Sequence, residues 1–209
     1  MDKTEKFWDK QAKGYTDQQH HVQLNENKDF ITTLKYLNSN DIVLDYGCGG
    51  GIVSAGIANK VKEVHAIDVS SEMIEVAKAN AVGLDINNVH YAQATIFDER
   101  FQKESFNVIL AFRVLHVLDD VPAAIRRTNE LLKPGGVFIS VTSCMGSPKG
   151  FMGIVVFLAR KLGILPIQIN MLKLPGLQGL LTGEEFELVE SEKMDDRVPT
   201  YCIVARKAG

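Results

Sequence analysis

Short runs of apolar and β-branched residues alternate with helical patterns from residue 42 onward. A chain in which strands and helices alternate builds βαβ units, whose strands lie parallel in one sheet. The pattern therefore predicts an α/β fold built around a mostly parallel sheet of seven strands. The predicted strands cover residues 42–45, 64–68, 89–93, 106–112, 137–141, 186–191 and 201–206.

Two of the predicted helices have recognisable ends. Ser70 or Ser71 is suited to cap the first helix, and Gly83 lies just past its end. The second helix begins near Asp119, Asp120 and Pro122, and the segment 133–136, Lys-Pro-Gly-Gly, is expected to close it. Helical periodicity predicts the buried face of the first helix to consist of Met73, Val76, Ala77 and Ala81.

Two regions fall outside the alternation. Residues 1–40 are polar and predicted to form a helical cap ahead of the sheet. Residues 145–183 contain no Asp or Glu, are rich in apolar residues, and carry a local charge of +4 in a chain whose net charge is −3. The basic residues of this acid-free segment are Lys149, Arg160, Lys161 and Lys173.

The bulk composition limits the classes of protein to consider. A chain of 209 residues suits one domain, 1–209, and a net charge of −3 argues against nucleic acid as the main partner. The cysteines, Cys48, Cys144 and Cys202, have no metal-ligand spacing and favour a reducing compartment. The charged N-terminus lacks the apolar core of a signal peptide, and no apolar run is long enough to span a bilayer. We therefore expect a cytoplasmic protein.

A glycine cluster follows the first predicted strand. Gly47, Gly49 and Gly51 occupy alternate positions, and glycines between a strand and a helix let the backbone approach a ligand closely. The dinucleotide pattern fails, because its third glycine would fall at Ile52 or Ser54. Asp68 ends the second strand, where a carboxylate can accept hydrogen bonds from ribose hydroxyls. The two features together predict a nucleoside site rather than a plain turn.

At these motifs the sequence resembles the class I S-adenosylmethionine-dependent methyltransferases that act on small molecules. The resemblance rests on LDYGCGGG, VHAIDVSSEMIEVAK, FNVILAFRVLHVLDD and LKPGGVFI, taken in that order and spacing. The opening segment FWDKQAKGY is similar to that of ubiquinone/menaquinone C-methyltransferase relatives. The resemblance implies an α/β fold with a doubly wound, Rossmann-like sheet of seven mostly parallel strands and the last strand antiparallel. It also implies S-adenosylmethionine as cofactor and transfer of a methyl group to a small acceptor.

The resemblance also implies binding roles, which we carry over by position. Many members of the family have an acid where this chain has Thr95, so that contact is the least secure of the set, and the neighbouring Asp98 is a less favoured substitute. Phe112 could equally face a cationic sulfur or pack in the core. The implied contacts are Asp45, Gly47, Cys48 and Gly49 for the methionine portion, Asp68 for the ribose, Val69 and Met73 for the adenine face, Thr95 and Ile96 for the adenine edge, Ala111, Phe112 and Arg113 beside the sulfonium, and Tyr15 as a cover.

The sequence shows no catalytic dyad or triad, and the catalytic residue stays unassigned. His116 follows the fourth strand, so it is the best candidate for a base, although a spacer role is more common there. His20 and His21 are weaker candidates, and Cys48 is expected to pack rather than to react. Residues 111–114, Ala-Phe-Arg-Val, lack the motif of enzymes that methylate DNA bases. A small-molecule acceptor is therefore favoured.

The acid-free segment is open to several interpretations. It could be a helix that covers the core and is followed by a loop, an apolar lid over a partly apolar acceptor, a peripheral contact with anionic lipid, or a homodimer contact. Two rival functions also stay open. One is a protein that binds S-adenosylmethionine as an effector without turnover, and the other is a nucleotide-dependent oxidoreductase, against which the missing third glycine already counts.

Overall fold

Seven strands form one sheet in the part of the chain that the computed structural model describes, which is residues 3–15, 28–146, 151–162, 167–195 and 197–209. The strands lie in the order β3-β2-β1-β4-β5-β7-β6. Their bounds are β1 Ile42–Tyr46, β2 Glu63–Asp68, β3 Val89–Gln93, β4 Phe106–Phe112, β5 Leu132–Ser143, β6 Phe186–Asp195 and β7 Thr200–Lys207.

Strands β1 to β5 pair in parallel, and β7 lies antiparallel between β5 and β6. The predicted doubly wound sheet with an antiparallel last strand is thus confirmed. The chain proceeds from β1 outward through β2 to β3, and then returns to place β4 on the other side of β1. In open α/β sheets, ligands bind at this kind of switch point, beyond the carboxyl ends of the strands.

Helices cover both faces of the sheet. Alternate residues of each strand point to opposite faces, so that Leu44 and Ile109 belong to one buried cluster and Val43 and Val108 to the other. The helices are α1 Lys3–Ala12, α2 Lys28–Leu34, α3 Ile52–Ile57, α4 Ser71–Ala81, α5 Val121–Leu131, α6 Phe151–Lys161 and α7 Leu174–Gly183. Helices α5 and α7 contribute to the first cluster, and α2 and α3 contribute to the second.

Helix α4 begins as predicted but buries a partly different face. The Ser70 hydroxyl accepts a hydrogen bond from the Met73 N–H at 3.0 Å, which makes Ser70 the N-cap. Met73, Ile74 and Ala77 are buried, whereas Val76 and Ala81, which were also predicted to be buried, are only half-buried. Helix α4 packs against α1 as well as β3, and that second partner comes from a distant part of the chain.

Strand β5 begins earlier than the glycine pattern suggested. Residues 133–136 do not form a separate closing turn, because the strand follows α5 directly and includes them. The pairing of β4 with β5 is irregular here, since Phe106 pairs with Leu132 and Val108 pairs with Val137. Gly135 has a φ of 73°, which explains why glycine stands within this bulged stretch.

The two regions outside the alternation are partly described. The predicted N-terminal helical cap contains α1 and α2, and residues 16–27, including His20 and His21, lie outside the described residues. In the acid-free segment, the loop expected after the first helix is wrong for residues 174–183, which form α7, and α7 covers the core because its Leu177 and Leu181 are fully buried. The core-covering interpretation is wrong for α6, because large apolar side chains such as Phe157 are exposed there. No helix among the described residues is long and apolar enough to cross a bilayer.

Candidate active site

The glycine loop, residues 47–51, follows β1 and needs glycine for two reasons. Gly47, Gly49 and Gly51 have φ angles of 74°, 52° and 75°, in the left-handed region that residues with a Cβ rarely adopt. A Cβ on Gly51 would lie 2.8 Å from both the Ala77 Cβ and the Tyr91 Cε1. A Cβ on Gly49 would meet only the Tyr15 Cε1, at 3.7 Å. The loop is therefore tightly packed from behind and open toward Tyr15.

Asp68 connects the end of β2 to this loop. Its Oδ2 accepts a hydrogen bond from the Gly49 N–H at 3.0 Å, and its Oδ1 accepts one from the Ser70 N–H at 2.9 Å. Burial raises the pKa of the Asp68 carboxyl, while these backbone donors oppose the rise. Each oxygen keeps a further lone pair, so the carboxylate can also accept hydrogen bonds from a ligand hydroxyl.

Asp45 supports the loop from the side of the sheet. Asp45 is 2% exposed, and its carboxyl group accepts a hydrogen bond from the Ser54 hydroxyl in α3. Burial raises the pKa of Asp45 to about 6, and the nearby Asp68 charge adds to this rise, whereas the Ser54 bond opposes it. Asp45 does not line the cleft in front of the loop, so its support of the loop acts through Ser54.

Two adjoining cavities form one cleft in front of the loop. The cavity beside the loop measures about 120 Å³ and the outer one about 520 Å³, a combined size within the range of small-molecule sites. Both cavities are lined by Thr4, Tyr46, Val69, Val117 and Leu118. Because they share these walls, a ligand held at the loop can extend into the outer cavity.

Most of the residues implied by the resemblance meet in this cleft. The inner cavity adds Tyr15, Gly47, Gly49, Asp68, Met73, Phe112 and Arg113, and the outer cavity adds Thr95. These positions come from α1, β1, β2, β3, β4 and the segments that follow them, which the parallel sheet brings to one edge. Their roles toward a ligand stay predictions.

Three other implied residues do not reach the cleft with their side chains. Ile96 and Ala111 are fully buried in the core, so these two can contact a ligand only through their backbone. Cys48 packs against the second core cluster, and burial raises the pKa of its thiol well above the ordinary value. The thiol is therefore held protonated, which fits the packing role expected for it.

Several residues that line the cleft were not predicted from the sequence. Thr4 and Trp8 come from α1, Tyr46 ends β1, and Val117 and Leu118 follow β4. Trp8 is the one tryptophan of the chain and stands in the opening motif, so it could have been singled out. Val117 and Leu118 carry no such signal, because apolar residues after a strand are equally typical of core positions.

Helix α1 is held over the cleft by Asp9. The Asp9 Oδ1 accepts a hydrogen bond from the Ser70 hydroxyl at 2.7 Å and a longer one from the Glu72 N–H at 3.4 Å. Glu5, also in α1, accepts a hydrogen bond from the side-chain amide of Gln93 at 3.0 Å. These contacts place one side of α1 against the loop that follows Asp68, and so bring α1 residues into the cleft wall.

Arg113 and His116 occupy the segment after β4. Arg113 has a φ of 58°, its N–H donates to the Val141 carbonyl at 2.7 Å, and its guanidinium lies 3.2 Å from the buried Asp29 carboxylate of α2. His116 lies in a 3₁₀ turn, where burial and the Arg113 charge lower the pKa of its imidazole. The His116 Nδ1 has no hydrogen-bond partner among the described residues. His116 is thus neutral near pH 7.

Asp98 does not take the place of Thr95 at the cleft. Arg100 donates two side-chain hydrogen bonds to its carboxylate, at 2.9 and 2.7 Å, and these hold the pKa of Asp98 at about 2. Asp98 is absent from the cleft lining, which fits its interpretation as a loop acid. The described residues contain no cluster of His, Cys, Asp and Glu that could hold a metal ion.

Comparison with known proteins identifies the family. A model of the methyltransferase domain matches residues 37–162, more than half of the chain. The chain belongs to this methyltransferase family. The match includes the glycine loop, Asp68 and the segment after β4, so the resemblance found in the sequence and the S-adenosylmethionine cofactor that it implied are confirmed.

Individual relatives agree with this assignment. The ubiquinone biosynthesis O-methyltransferase of Haemophilus ducreyi is 33% identical over 129 residues, which are 59% of this chain and 54% of that protein. The chain thus spans about half the length of the curated relatives it matches. Among solved structures, the YcgJ protein from Bacillus subtilis has a TM-score of 0.68 at 18% identity and covers 87% of this chain and 98% of its own. A geranyl diphosphate methyltransferase, in complex with GPP and sinefungin, has a TM-score of 0.71 at 15% identity, and the match covers 86% of this chain and 76% of that one.

Proposed function

We propose that this protein transfers the methyl group of S-adenosylmethionine to a small acceptor that is at least partly apolar. The observation that carries the proposal is the continuous cleft, which has the glycine loop and Asp68 at one end and largely apolar walls along the rest. A polar anchor beside apolar walls is typical of a site that holds a charged cofactor next to a small organic molecule.

The residues of the inner cavity fit the cofactor. The open face of Gly49 leaves room for a ligand between the loop and Tyr15, and Asp68 can accept hydrogen bonds from ribose hydroxyls. Val69 and Met73 offer an apolar surface for the adenine, and Thr95 offers a hydroxyl at its edge. The Phe112 ring borders the inner cavity, where it would face the cationic sulfur.

The walls of the outer cavity support an apolar acceptor. Val117, Leu118 and the half-exposed Phe97 present apolar side chains to it, and Asp119 and Asp120 border its rim. The names of two similar proteins, a ubiquinone biosynthesis O-methyltransferase and a geranyl diphosphate methyltransferase, point to substrates with hydrocarbon parts. We take this as support for the acceptor class and not for either compound.

Methyl transfer requires the protein mainly to position the acceptor next to the methyl group. When bound, the cofactor supplies a methyl group already activated by a positively charged sulfur. The cleft has to align the acceptor with this methyl and exclude water, and α1 with Trp8 and Tyr15 closes one side. His116, the candidate base from the sequence, lines neither cavity, and its Nδ1 is buried, so the catalytic residue stays unassigned.

Transfer of a labelled methyl group tests the proposal. The protein is incubated with methyl-labelled S-adenosylmethionine and a lipid-soluble extract, a water-soluble extract or buffer, and products are separated and identified by mass spectrometry. We expect label in a lipid-soluble product and release of S-adenosylhomocysteine. Label confined to water-soluble products would contradict the apolar acceptor.

A binding measurement separates turnover from mere binding. We expect S-adenosylhomocysteine to raise the melting temperature and NAD to leave it unchanged. Stabilisation by S-adenosylhomocysteine without label transfer to any extract would favour the rival function, in which the ligand is an effector. Stabilisation by NAD alone would overturn both.

A further inference from the structure

Residues 153–162, which include most of helix α6, carry most of their large apolar side chains on the outside. Gly153 is buried and Val156 and Ala159 are half-buried, so small and medium side chains face the protein. The large residues that point to solvent, with their exposed fractions, are Ile154 52%, Val155 42%, Phe157 63%, Leu158 50% and Leu162 72%. Ile154, Leu158 and Leu162 repeat every four residues, and therefore form one continuous stripe along the helix.

This arrangement is the reverse of an ordinary surface helix, whose apolar stripe faces the core. A groove of about 610 Å³ lies between α6 and residues 168–171, and Phe157 and Lys161 are among the residues that line it. Arg160 donates a hydrogen bond across it to the Gln168 side chain at 2.6 Å. Large apolar side chains that are exposed next to one another, as on α6, indicate a contact surface.

The charges around the stripe indicate what it contacts. Lys161 is exposed within the same arc of the helix, and Arg160 is exposed beside it. The acid-free segment has no Asp or Glu over its whole length, and none of the residues lining the groove is acidic. A partner that fits this surface therefore combines apolar material with negative charge.

We propose that helix α6 lies in the plane of a membrane surface that contains anionic lipids. Ile154, Phe157 and Leu158 would enter the boundary between headgroups and acyl chains, while Arg160 and Lys161 would meet lipid phosphates. A second copy of this chain fits less well, because an isologous contact would bring the same positive charges together with no acid nearby to offset them. The helix is too short to span a bilayer, so the attachment is peripheral.

Asn170 joins the segment across the groove from α6 to the wall of the cleft. Its N–H donates to the His116 carbonyl at 2.7 Å, and its side-chain amide donates to the Leu118 carbonyl. Leu118 lines both cavities of the cleft. An acceptor dissolved in the bilayer would thus lie close to the cleft, a consequence that rests on the proposed function, whereas membrane binding itself does not.

Sedimentation with vesicles tests the proposal on the full chain. The vesicles contain phosphatidylcholine alone or phosphatidylcholine with phosphatidylglycerol, at low and at high salt. We expect binding to the mixed vesicles only, and weaker binding at high salt, because the basic residues of α6 act on the surface charge. Equal binding to both vesicles, or none to either, would overturn the proposal.

Substitutions on α6 give the test its specificity. Phe157→Ser should reduce the partition to mixed vesicles by about tenfold or more, and Lys161→Gln by about fivefold. Val82→Ser is the matched control, since Val82 is 80% exposed outside the acid-free segment, and should bind as the unchanged chain does. An equal loss in Val82→Ser would contradict a role of α6.

Two further measurements distinguish membrane binding from misfolding and from self-association. Thermal stabilisation by S-adenosylhomocysteine should be the same in Phe157→Ser and the unchanged chain, which shows that the fold and the cofactor site are intact. Sedimentation velocity without vesicles should show no dimer that Phe157→Ser abolishes. Such a dimer would make a second copy the occupant of this surface and overturn the membrane assignment.

Discussion

The glycine loop has small residues enclosed by neighbouring side chains, whereas helix α6 has large apolar residues exposed. In the loop, Gly47 and Gly51 are enclosed by side chains from distant elements, and a Cβ on either would come within 3 Å of a neighbouring atom. On α6, the large ring of Phe157 is 63% exposed. The first region is packed to hold a fixed shape in front of a ligand. The second leaves apolar surface free, and so is suited to a contact outside the chain.

The comparison teaches that apolar content does not by itself indicate burial. Leu177 of α7 and Phe157 of α6 both belong to the acid-free segment, yet the first is fully buried and the second is among the exposed residues. Substitutions should therefore cost stability in the loop and not on α6. Four substitutions test this contrast, from the largest expected effect to the smallest.

Gly51→Ala should have the largest effect. The new Cβ would lie 2.8 Å from the Ala77 Cβ and the Tyr91 Cε1, on a backbone with a φ of 75°. Strain and overpacking together should lower the free energy of unfolding by about 2–4 kcal/mol, measured by urea denaturation. Gly83→Ala is the control, because Gly83 has a φ of 83° with no atom within 4 Å of the added Cβ. A similar loss in both variants would show that packing behind the loop is unimportant.

Asp45→Asn should change how stability depends on pH. The folded chain keeps a proton on Asp45 up to a pKa of about 6, whereas the unfolded chain loses it near 4. The free energy of unfolding therefore falls as pH rises through this window, and the variant should lack this fall of about 2–3 kcal/mol. Denaturation at several pH values measures the difference.

Ser54→Ala tests the effect of the Ser54 hydrogen bond on the pKa of Asp45. The Ser54 hydroxyl donates to the Asp45 carboxylate and opposes the rise of its pKa. Its removal should raise that pKa and extend the fall in stability to higher pH. If the curves of Asp45→Asn and the unchanged chain run parallel from about pH 4 to 6, Asp45 does not hold this proton.

Asp68→Asn should weaken cofactor binding. Both carboxylate oxygens of Asp68 accept hydrogen bonds from backbone N–H groups. In either orientation of the Asn side chain, its NH₂ group would face one of these N–H groups, and two donors cannot form a hydrogen bond. We expect the Kd for S-adenosylhomocysteine to rise by about 10- to 100-fold, measured by calorimetry. Asp98→Asn should leave the Kd unchanged, because Asp98 is bound to Arg100. An unchanged Kd in Asp68→Asn would remove the ribose role.

Phe157→Ser should have the smallest effect on folding. Its ring is mostly exposed, so the free energy of unfolding should change by less than about 0.5 kcal/mol. The same urea denaturation used for the loop variants measures it. A loss above about 2 kcal/mol would mean that Phe157 is buried in solution, and the contrast between the two regions would then fail.

Most of the fold could be read from the sequence. Strands β3 and β4 have the predicted bounds, and Ser70 caps α4 as expected, because hydrophobic alternation and capping are local signals. Strand β5 was misjudged at its start, since the glycines of residues 133–136 look like a turn, whereas they form a bulge between two residues that pair with β4, Leu132 and Val137. That pairing depends on a partner strand in a distant part of the chain and leaves no local trace.

The candidate site was predictable to a similar degree. Gly47, Gly49 and Asp68 meet at the cleft, because a parallel sheet brings the ends of β1 and β2 to one edge. Trp8 could have been singled out by its place in the opening motif, but the position of α1 in the cleft wall could not, since it depends on the contact of Asp9 with Ser70, 61 positions along the chain. Long-range contacts of side chains decide such details.

The sequence by itself determined the strand pattern, the glycine loop and the ribose acid, and through them the family and its cofactor. These features are short, and each is recognisable from neighbouring residues. Only the tertiary structure decided that Asp45 turns toward Ser54, that α1 closes one side of the cleft, and that α6 points its large apolar residues outward. The reason is physical: the direction that a side chain faces depends on what packs against its element, and those partners come from elsewhere in the chain.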